Sequence, residues 1–569
     1  MCDTHVSRLT HSSKGVLGGF VGDRDRLKSL TQRIDGQSYP AYRQIKGCWD
    51  LKDFSLFVDH VQGDPFAAPS RIRLRVKGAV PVEVIQCADG RVAAEDWLLR
   101  RFVRVLGGQR RGSGRSGELN CLRPGPEIEE RTAIRIFPDG MVEARIRAGL
   151  PARGRRIVGK EAWLLIDEDL RQASLSLTES AGLLEHVESV RTQRALRRAL
   201  KERGLVSFVA DGSVLPRASG VSALPLPGAV PFQSPDSLRV SIDVNGEGVV
   251  GMGVPEGVTV IVGGGFHGKS TLLNALQRGH LDHVPGDGRE RVVSVSDTVK
   301  IRAEDGRRVC DVDISPFLQG LPQGRSTRPF RTDDASGSTS QAAAIVEAIE
   351  AGATVLLVDE DTSATNLLVC DPRMRQLIDA SAEPITPYVA RVRQLFGELG
   401  VSTVIVVGGV ADYLGVADTV VGMINFEPHD LTTKARAVVP APEETPGPLM
   451  ISLKRRPLSD GLAPGKMKAR DHRRIQYGDY DVDLVGVETI LSSDHAWSVA
   501  HGLAAIHRIA DGDTTLSSLL DRIERRLDED GPDFLSERTV GDLIRPRRHE
   551  LAAALNRHRG LRVAPADKN

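Results

Sequence analysis

One glycine-rich stretch constrains what this chain can fold into more than any other feature. Residues 263–270 read Gly-Gly-Gly-Phe-His-Gly-Lys-Ser, which fits the pattern G-x-x-x-x-G-K-[ST] of a phosphate-binding P-loop. The β-branched apolar run at 258–262 predicts a buried parallel strand before the loop, and residues 271–276 have the spacing and composition of a helix. Because this strand–loop–helix order is what a P-loop requires, the sequence predicts an α/β domain with a doubly wound sheet.

The expected chemistry of the loop comes from its backbone and from two side chains. Backbone N–H groups and the start of the helix offer partial positive charge to the phosphates of ATP. Lys269 should reach the β- and γ-phosphates and assist catalysis, and the Ser270 hydroxyl should ligate Mg²⁺. The predicted nucleotide-binding residues of the loop are Gly263, Gly264, Gly265, Phe266, His267, Gly268, Lys269, Ser270 and Thr271.

Two acids follow a second apolar run. Residues 355–358 are Val-Leu-Leu-Val, and Asp359 and Glu360 come directly after them. In P-loop enzymes a carboxylate at the end of a buried strand holds Mg²⁺, and a following acid can polarise the attacking water. The sequence therefore predicts Asp359 as a metal ligand and Glu360 as a catalytic base.

Two further stretches resemble motifs of the ATP-binding-cassette (ABC) ATPases. Residues 335–341, Ala-Ser-Gly-Ser-Thr-Ser-Gln, resemble the signature motif of that family, and residues 359–366 resemble its Walker B motif and D-loop. The signature begins 24 residues before Asp359 (359 − 335), which is the register that the family uses. The resemblance implies that Ser336, Gly337 and Ser338 contact a nucleotide bound by a partner subunit, so a complete site requires two chains.

The chain also departs from the pattern of that family. Phe266 stands where a glycine is usual, and Gly408-Gly409 follow the strand 404–407 where a switch histidine is expected. Only 66 residues separate Lys269 from the signature (335 − 269), which is short for a transporter ATPase. The sequence therefore predicts a cassette that works without a membrane or a transporter subunit.

The combination of motifs is similar to a narrower group, the predicted soluble ABC-class ATPases of bacteria, whose kin include a trypanosome mitochondrial RNA-editing component. The likeness extends into the N-terminal part through residues 34–36, 59–66 and 149–155, and it weakens after about residue 490. It implies a homodimer with a basic central opening suited to RNA.

Length and composition predict a cytoplasmic protein of several domains. The 569 residues divide into a basic, mixed α+β N-terminal domain (1–230), the ATPase domain (231–427), a proline-rich linker (428–449) and a basic, mostly helical C-terminal region (450–569). Six scattered cysteines without a C-x-x-C pair favour reduced thiols, and no apolar run reaches 18 residues. The net charge of zero neither demands nor excludes a nucleic acid.

Two basic clusters in the N-terminal domain are candidates for nucleic-acid binding. The cluster at 71–77 alternates cations with apolar residues, so its cations should share one face of a strand, and a glycine-rich loop follows at 110–117. A solvated face or an edge strand protected by charge would also produce the first pattern. The candidate residues are Arg71, Arg73, Arg75, Lys77, Arg110, Arg111 and Arg115.

Together these features predict an ATPase that dimerises on ATP and couples hydrolysis to binding of RNA or another nucleic acid. Two alternatives stay open. A small-molecule P-loop phosphotransferase would also use the loop, although it has no use for a signature in register. A non-hydrolysing switch, in which ATP only clamps the dimer, would fit the missing histidine.

Overall fold

The structure, a computed structural model, describes residues 21–107, 111–369, 383–439 and 447–565. These residues form two compact units. The first unit contains residues 21–191 and 525–545, and the second contains residues 192–524 and 546–565. Within the described ranges, no helix is both long enough and apolar enough to cross a membrane.

The first unit is built on an antiparallel sheet with one parallel edge pair. Its strands lie in the order β1-β2-β3-β4-β8-β5, and β7 also pairs with β8. The strands are β1 (Gly22–Asp23), β2 (Gly47–Asp50), β3 (Ser55–His60), β4 (Ser70–Lys77), β5 (Leu119–Asn120), β6 (Glu127–Ile128), β7 (Ile134–Ile136), β8 (Met141–Ala148), β9 (Ala152–Arg153) and β10 (Arg156–Ile157). The helices are α1 (Arg24–Arg33), α2 (Val82–Ile85), α3 (Ala88–Val105), α4 (Gly159–Leu164), α5 (Arg171–Leu175) and α6 (Leu183–Glu202), the last of which continues into the second unit.

The second unit contains the predicted α/β sheet. Its strands are β11 (Leu205–Ala210), β12 (Arg239–Val244), β13 (Glu247–Pro255), β14 (Val258–Val262), β15 (Asp282–His283), β16 (Val292–Ser294), β17 (Thr298–Ile301), β18 (Arg307–Val312), β19 (Phe330–Ala335), β20 (Val355–Asp359), β21 (Ser402–Val406), β22 (Thr419–Ile424), β23 (Glu427–Asp430), β24 (Met467–Ala469), β25 (Arg474–Tyr477) and β26 (Tyr480–Asp483). The helices are α7 (Lys269–Arg278), α8 (Gly337–Glu350), α9 (Thr365–Leu368), α10 (Tyr388–Leu399), α11 (Asp412–Val416), α12 (Thr432–Val438), α13 (Ser493–Ile509), α14 (Leu516–Asp530) and α15 (Arg548–Arg557). Helix α14 continues into the first unit from residue 525.

The central sheet brings the predicted motifs to one edge. Its order is β17-β20-β21-β14-β22-β23, and all pairs except β22–β23 are parallel. Strands β20 and β21 are buried along their whole length, as expected for β-branched and leucine-rich strands covered on both faces. Because the strands are parallel, the loops after β14, β20 and β21 all leave the sheet at its carboxyl edge. The prediction of an α/β P-loop domain is confirmed.

The unit boundaries differ from the predicted domain limits. Strand β11 pairs with β13 in a four-stranded antiparallel sheet, so the second unit starts well before residue 231. Sequence composition does not mark this boundary because it lies inside the continuous helix α6.

The first part of the predicted linker 428–449 contains regular structure. Strand β23 pairs with β22, and helix α12 follows it, so the linker prediction is wrong up to residue 438. Residues 440–446, which carry three of its prolines, lie outside the described residues. The C-terminal region, predicted to be mostly helical, contains helices α13, α14 and α15 together with a three-stranded sheet, β24-β25-β26.

Candidate functional site

The P-loop connects the central strand β14 to helix α7 through two glycines with positive φ. Gly263 has φ 144°, and a Cβ atom added there would lie 2.4 Å from the carbonyl oxygen of Met423. Gly268, with φ 96°, precedes the first residue of α7. A side chain at Gly263 would therefore collide with β22, and both backbone conformations favour glycine.

Lys269 lies inside the loop that precedes it. Its Nζ donates to the carbonyl oxygens of Gly263 at 2.8 Å and of Gly264 at 2.9 Å. The first N–H groups of α7 have no partner within the helix, as at every helix start. The Lys269 ammonium and the first N–H groups of α7 thus lie at the same loop, which is the arrangement that binds phosphate.

The turn between β22 and β23 packs against the loop. The backbone N–H of Asn425 donates to Nδ1 of His267 at 2.7 Å, and the N–H of Phe426 donates to the His267 carbonyl at 3.2 Å. His267 therefore anchors the loop to the neighbouring hairpin. A Cβ atom at Gly268 would lie 3.1 Å from the Phe426 ring, which is half exposed beside the loop.

Phe266, at the position where the ABC ATPase pattern usually has glycine, is fully exposed with φ 63°. Phe426 has φ 72°. Positive φ is rare for bulky residues because of steric strain, so two such phenylalanines beside one P-loop are an unusual feature of this chain.

Asp359 ends β20 as predicted. Its side chain is buried, and its carboxylate accepts from the N–H of Asp361 at 3.3 Å. Burial raises the pKa of Asp359, and the Asp361 hydrogen bond and the charge of Lys300 oppose that rise only in part. A buried carboxylate short of positive charge, together with the exposed hydroxyl of Ser270, fits the hard oxygen donors that Mg²⁺ prefers.

Glu360 is held by backbone donors from the neighbouring strand. Its Oε2 accepts from the N–H of Gly408 at 2.5 Å and from the N–H of Gly409 at 3.2 Å. Gly408 and Gly409 follow β21, which pairs with β20 up to Asp359 and Val406. Two amides thus contact Glu360 at the position where the resemblance led us to expect a histidine.

The signature-like residues form the start of helix α8. Ser336 precedes the helix, and its exposed hydroxyl lies 3.0 Å from that of Thr339. Gly337 is the first helical residue, and Ser338 follows it. Backbone N–H groups at the start of this 14-residue helix could contact an anion.

Sequence reasoning missed the role of Gln341. Its buried side chain donates to the Ser363 hydroxyl at 2.9 Å and accepts from the N–H of Ala364 at 2.7 Å. Gln341 thus fixes the signature helix to the loop that follows Walker B. Its position at the end of the signature-like stretch 335–341 was the signal that could have identified it.

The predicted nucleic-acid cations on β4 do share a face, but two of them are paired. Arg73 donates to Asp59 at 2.7 Å and to Glu143 at 2.8 Å, and Arg75 donates to Glu143 at 2.6 Å. Burial alone would raise the pKa of Glu143, but the charges of Arg145, Arg73 and Arg75 outweigh it and lower that pKa to about 2. Arg73 and Arg75 therefore already pair with acids, which weighs against the prediction that they bind phosphate.

The other β4 cations differ from these two. No carboxylate pairs with Arg71 or Lys77 within the described ranges, and Lys77 is exposed. Strand β4 lies between β3 and β8, so protection of an edge strand does not explain its charges.

The basic loop is also partly neutralised. Arg111 is bound by Asp169 at 2.9 Å and by Glu161 at 3.0 Å, and its side chain is 9% exposed. As for Arg73, this pairing weighs against the prediction that Arg111 binds nucleic acid. Arg115 lies 4.0 Å from Glu118 and is half exposed, whereas Arg110 lies outside the described residues.

A P-loop at the edge of a parallel sheet, with acids ending a nearby strand, defines a P-loop nucleotide-binding domain. Three family models match the chain: the ABC_ATPase P-loop domain over residues 179–448, the N-terminal domain of ATPases of the ABC class over 24–177, and the MRB1590 C-terminal domain over 466–564. The chain therefore belongs to the ABC-class ATPase family related to MRB1590. Membership implies ATP binding at the loop described above.

The chain also matches individual proteins over part of its length. MJ1628, an uncharacterized protein of Methanocaldococcus jannaschii, is 34% identical over 197 residues, which are 33% of this chain and 44% of that protein. The chain thus spans less than half of this curated relative. The structure of cbiO1 from Clostridium perfringens, part of an ABC transporter complex, covers 41% of this chain and 92% of its own, at 14% identity and TM-score 0.25. The match to MJ1267, an ATP-binding cassette of an ABC transporter, covers 41% of this chain and 94% of that structure, at 12% identity and TM-score 0.25.

Proposed function

We propose that this chain hydrolyses ATP with Mg²⁺ at sites shared by two copies of itself, and couples hydrolysis to nucleic-acid binding. The observation that carries the hydrolytic part is the position of Asp359 and Glu360 at the carboxyl edge of β20. That strand is separated only by β21 from β14, which leads into the P-loop. Phosphate binders and acids thus occupy the same edge of one sheet.

Each residue has a defined part in this proposal. Lys269 and the N–H groups of α7 would bind the phosphates and stabilise the charge that develops on them. Ser270 and Asp359 would hold Mg²⁺, which neutralises phosphate charge when bound. Glu360 would orient the attacking water and accept its proton. One carboxylate oxygen, Oε2, receives both amide hydrogen bonds, so in this proposal Oε1 would accept the proton of the water.

Phosphate release tests the hydrolytic role and separates it from the alternatives. Glu360→Gln should bind ATP normally and lose about 10²–10⁴-fold in turnover, as expected when a general base is removed. Lys269→Ala should instead weaken ATP binding, because a cation that faces phosphate is lost. If the wild type releases phosphate no faster than Glu360→Gln, the protein acts as a non-hydrolysing switch. If turnover of ATP requires a small-molecule hydroxyl acceptor, the protein is a phosphotransferase.

The dimer completes the site in this proposal. One chain supplies one P-loop and one signature-like helix start, and twofold symmetry would place each helix start over the partner's P-loop. Exposure of Ser336 at the start of α8 supports this role because the residue is accessible to a second chain. ATP should therefore increase the dimeric fraction of Glu360→Gln, as measured by light scattering.

The nucleic-acid part of the proposal rests on a reduced set of cations. Arg71 and Lys77 remain on one face of β4, and the half-exposed Arg115 lies in the glycine-rich loop. Phosphate contacts of this kind make affinity depend on salt.

A further inference from the structure

The strongest unexplained feature of the catalytic edge is the contact between Glu360 and the turn after β21. The N–H groups of Gly408 and Gly409 converge on a single oxygen, Oε2, at 2.5 Å and 3.2 Å. The preceding residue, Val407, donates its N–H to Ile261 of the P-loop strand at 3.0 Å. Val407 therefore fixes the turn to the strand that leads into the P-loop, and the next two residues fix it to Glu360, the acid after Walker B.

We propose that the amides of Gly408 and Gly409 position Glu360 for catalysis and take the place of a switch side chain. The proposal rests on the proposed ATPase function. A glutamate side chain has three rotatable bonds, and two N–H donors to one oxygen select one of its orientations. Because the donors belong to the backbone, the chain needs no imidazole at this turn. Gly408 and Gly409 are positioning residues, since they act through Glu360 and not on the nucleotide.

The geometry indicates that the N–H groups matter here, not the lack of side chains. A Cβ atom added at Gly408 would lie 3.8 Å from Oε2, and one added at Gly409 would lie 3.7 Å from Oε1. Both distances are ordinary contacts, and neither glycine has φ in the left-handed region. Alanine therefore fits at either position and keeps the donor, whereas proline removes it.

This difference provides a matched pair of variants. Gly408→Pro should lower turnover at saturating ATP about 10–100-fold, the range expected for loss of a hydrogen bond to a charged group. Gly408→Ala should keep wild-type turnover, and both variants should bind ATP with wild-type affinity. A purely structural defect would instead affect ATP affinity as well.

The Glu360 background tests whether the amides act through this residue. In Glu360→Gln, the additional Gly408→Pro change should lower the residual single-turnover rate much less than it lowers the wild-type rate. Equal losses in the two backgrounds would overturn the proposal, and so would turnover that rises in Gly408→Pro, since the contact would then be inhibitory. If Glu360→Gln itself retains full turnover, the proposed function fails. If Glu360→Gln loses turnover but Gly408→Pro and Gly408→Ala have the same turnover, the proposed function stands and the positioning role fails.

Gly409→Pro with Gly409→Ala provides a second pair if Gly408→Pro does not fold. Hydrogen exchange provides a measurement that needs no proline. The peptide containing Gly408 and Gly409 should exchange faster in Glu360→Ala than in the wild type, because an acceptor has been removed. If this peptide exchanges at the same rate in both proteins, the amides do not bind Glu360 and the proposal is overturned.

Discussion

Strand β4 offers a matched test of nucleic-acid binding because, among the described residues, two of its cations pair with acids and two do not. The first variant replaces Arg73 and Arg75 with glutamine, and the second replaces Arg71 and Lys77. Each removes two positive charges from the same strand face. They differ in the carboxylates: Arg73 and Arg75 contact Glu143, whose side chain is 1% exposed, whereas no acid pairs with the other two in the described part of the first unit.

The expected changes in salt dependence and in stability follow from the contacts that each variant removes. Each phosphate contact contributes roughly 0.7 to the slope of log affinity against log salt for a single strand. Replacing Arg71 and Lys77 should flatten that slope by about 1.4 if both touch phosphate. Replacing Arg73 and Arg75 should leave it nearly unchanged. The latter variant should instead lose about 3–5 kcal/mol of unfolding free energy, the usual cost of breaking a buried ion pair.

Fluorescence anisotropy with a labelled single-stranded RNA at several KCl concentrations measures the slope, and urea unfolding measures the free energy. Both should be recorded on the same preparations. The ion pairing would be refuted if replacing Arg73 and Arg75 flattened the salt slope and left the unfolding free energy unchanged. A slope that neither variant changes would exclude strand β4 from RNA binding.

Two other predictions concern acid stability and the nucleotide base. The pKa of Glu143 is lowered to about 2, so its carboxylate stabilises the fold above the pKa of an unfolded glutamate. This stabilisation is lost as pH falls towards 2. Between pH 5 and 2 the unfolding free energy of the wild type should therefore fall more than that of Glu143→Gln. Phe426→Ala should weaken ATP binding about 5- to 150-fold but leave tripolyphosphate binding unchanged in calorimetry, because stacking on a base is worth ~1–3 kcal/mol. Phe426 lies on the β22 side of the P-loop, opposite β20, and equal losses for both ligands would exclude a base contact.

The sequence predicted those parts of the structure that depend on contiguous residues. The strand before the P-loop, the helix after it, and the acids after β20 are each local patterns with a known geometry. Their meeting at one edge follows from parallel pairing of β14, β21 and β20. The family assignment followed from the spacing of these local motifs.

Features that depend on distant partners were not predictable in the same way. The alternation at 71–77 correctly placed its cations on one face, but Glu143 lies on β8, directly opposite Arg75. Nothing in the local pattern indicates that acid. The contact of Glu360 with Gly408 and Gly409 likewise joins residues 48 and 49 positions apart. A missing histidine could be recognised in the sequence, whereas the backbone contacts found at that turn could not.

Phosphate release by a mixture of two inactive variants tests most directly whether two chains share each ATPase site. Lys269→Ala damages the P-loop and Ser336→Arg damages the signature-like helix start. In a mixed dimer both defects fall in one site and leave the other intact. Random pairing makes about half of the dimers mixed, so an equal mixture should recover about one quarter of wild-type turnover if the sites act independently. Release equal to the average of the two separate variants would contradict the shared site.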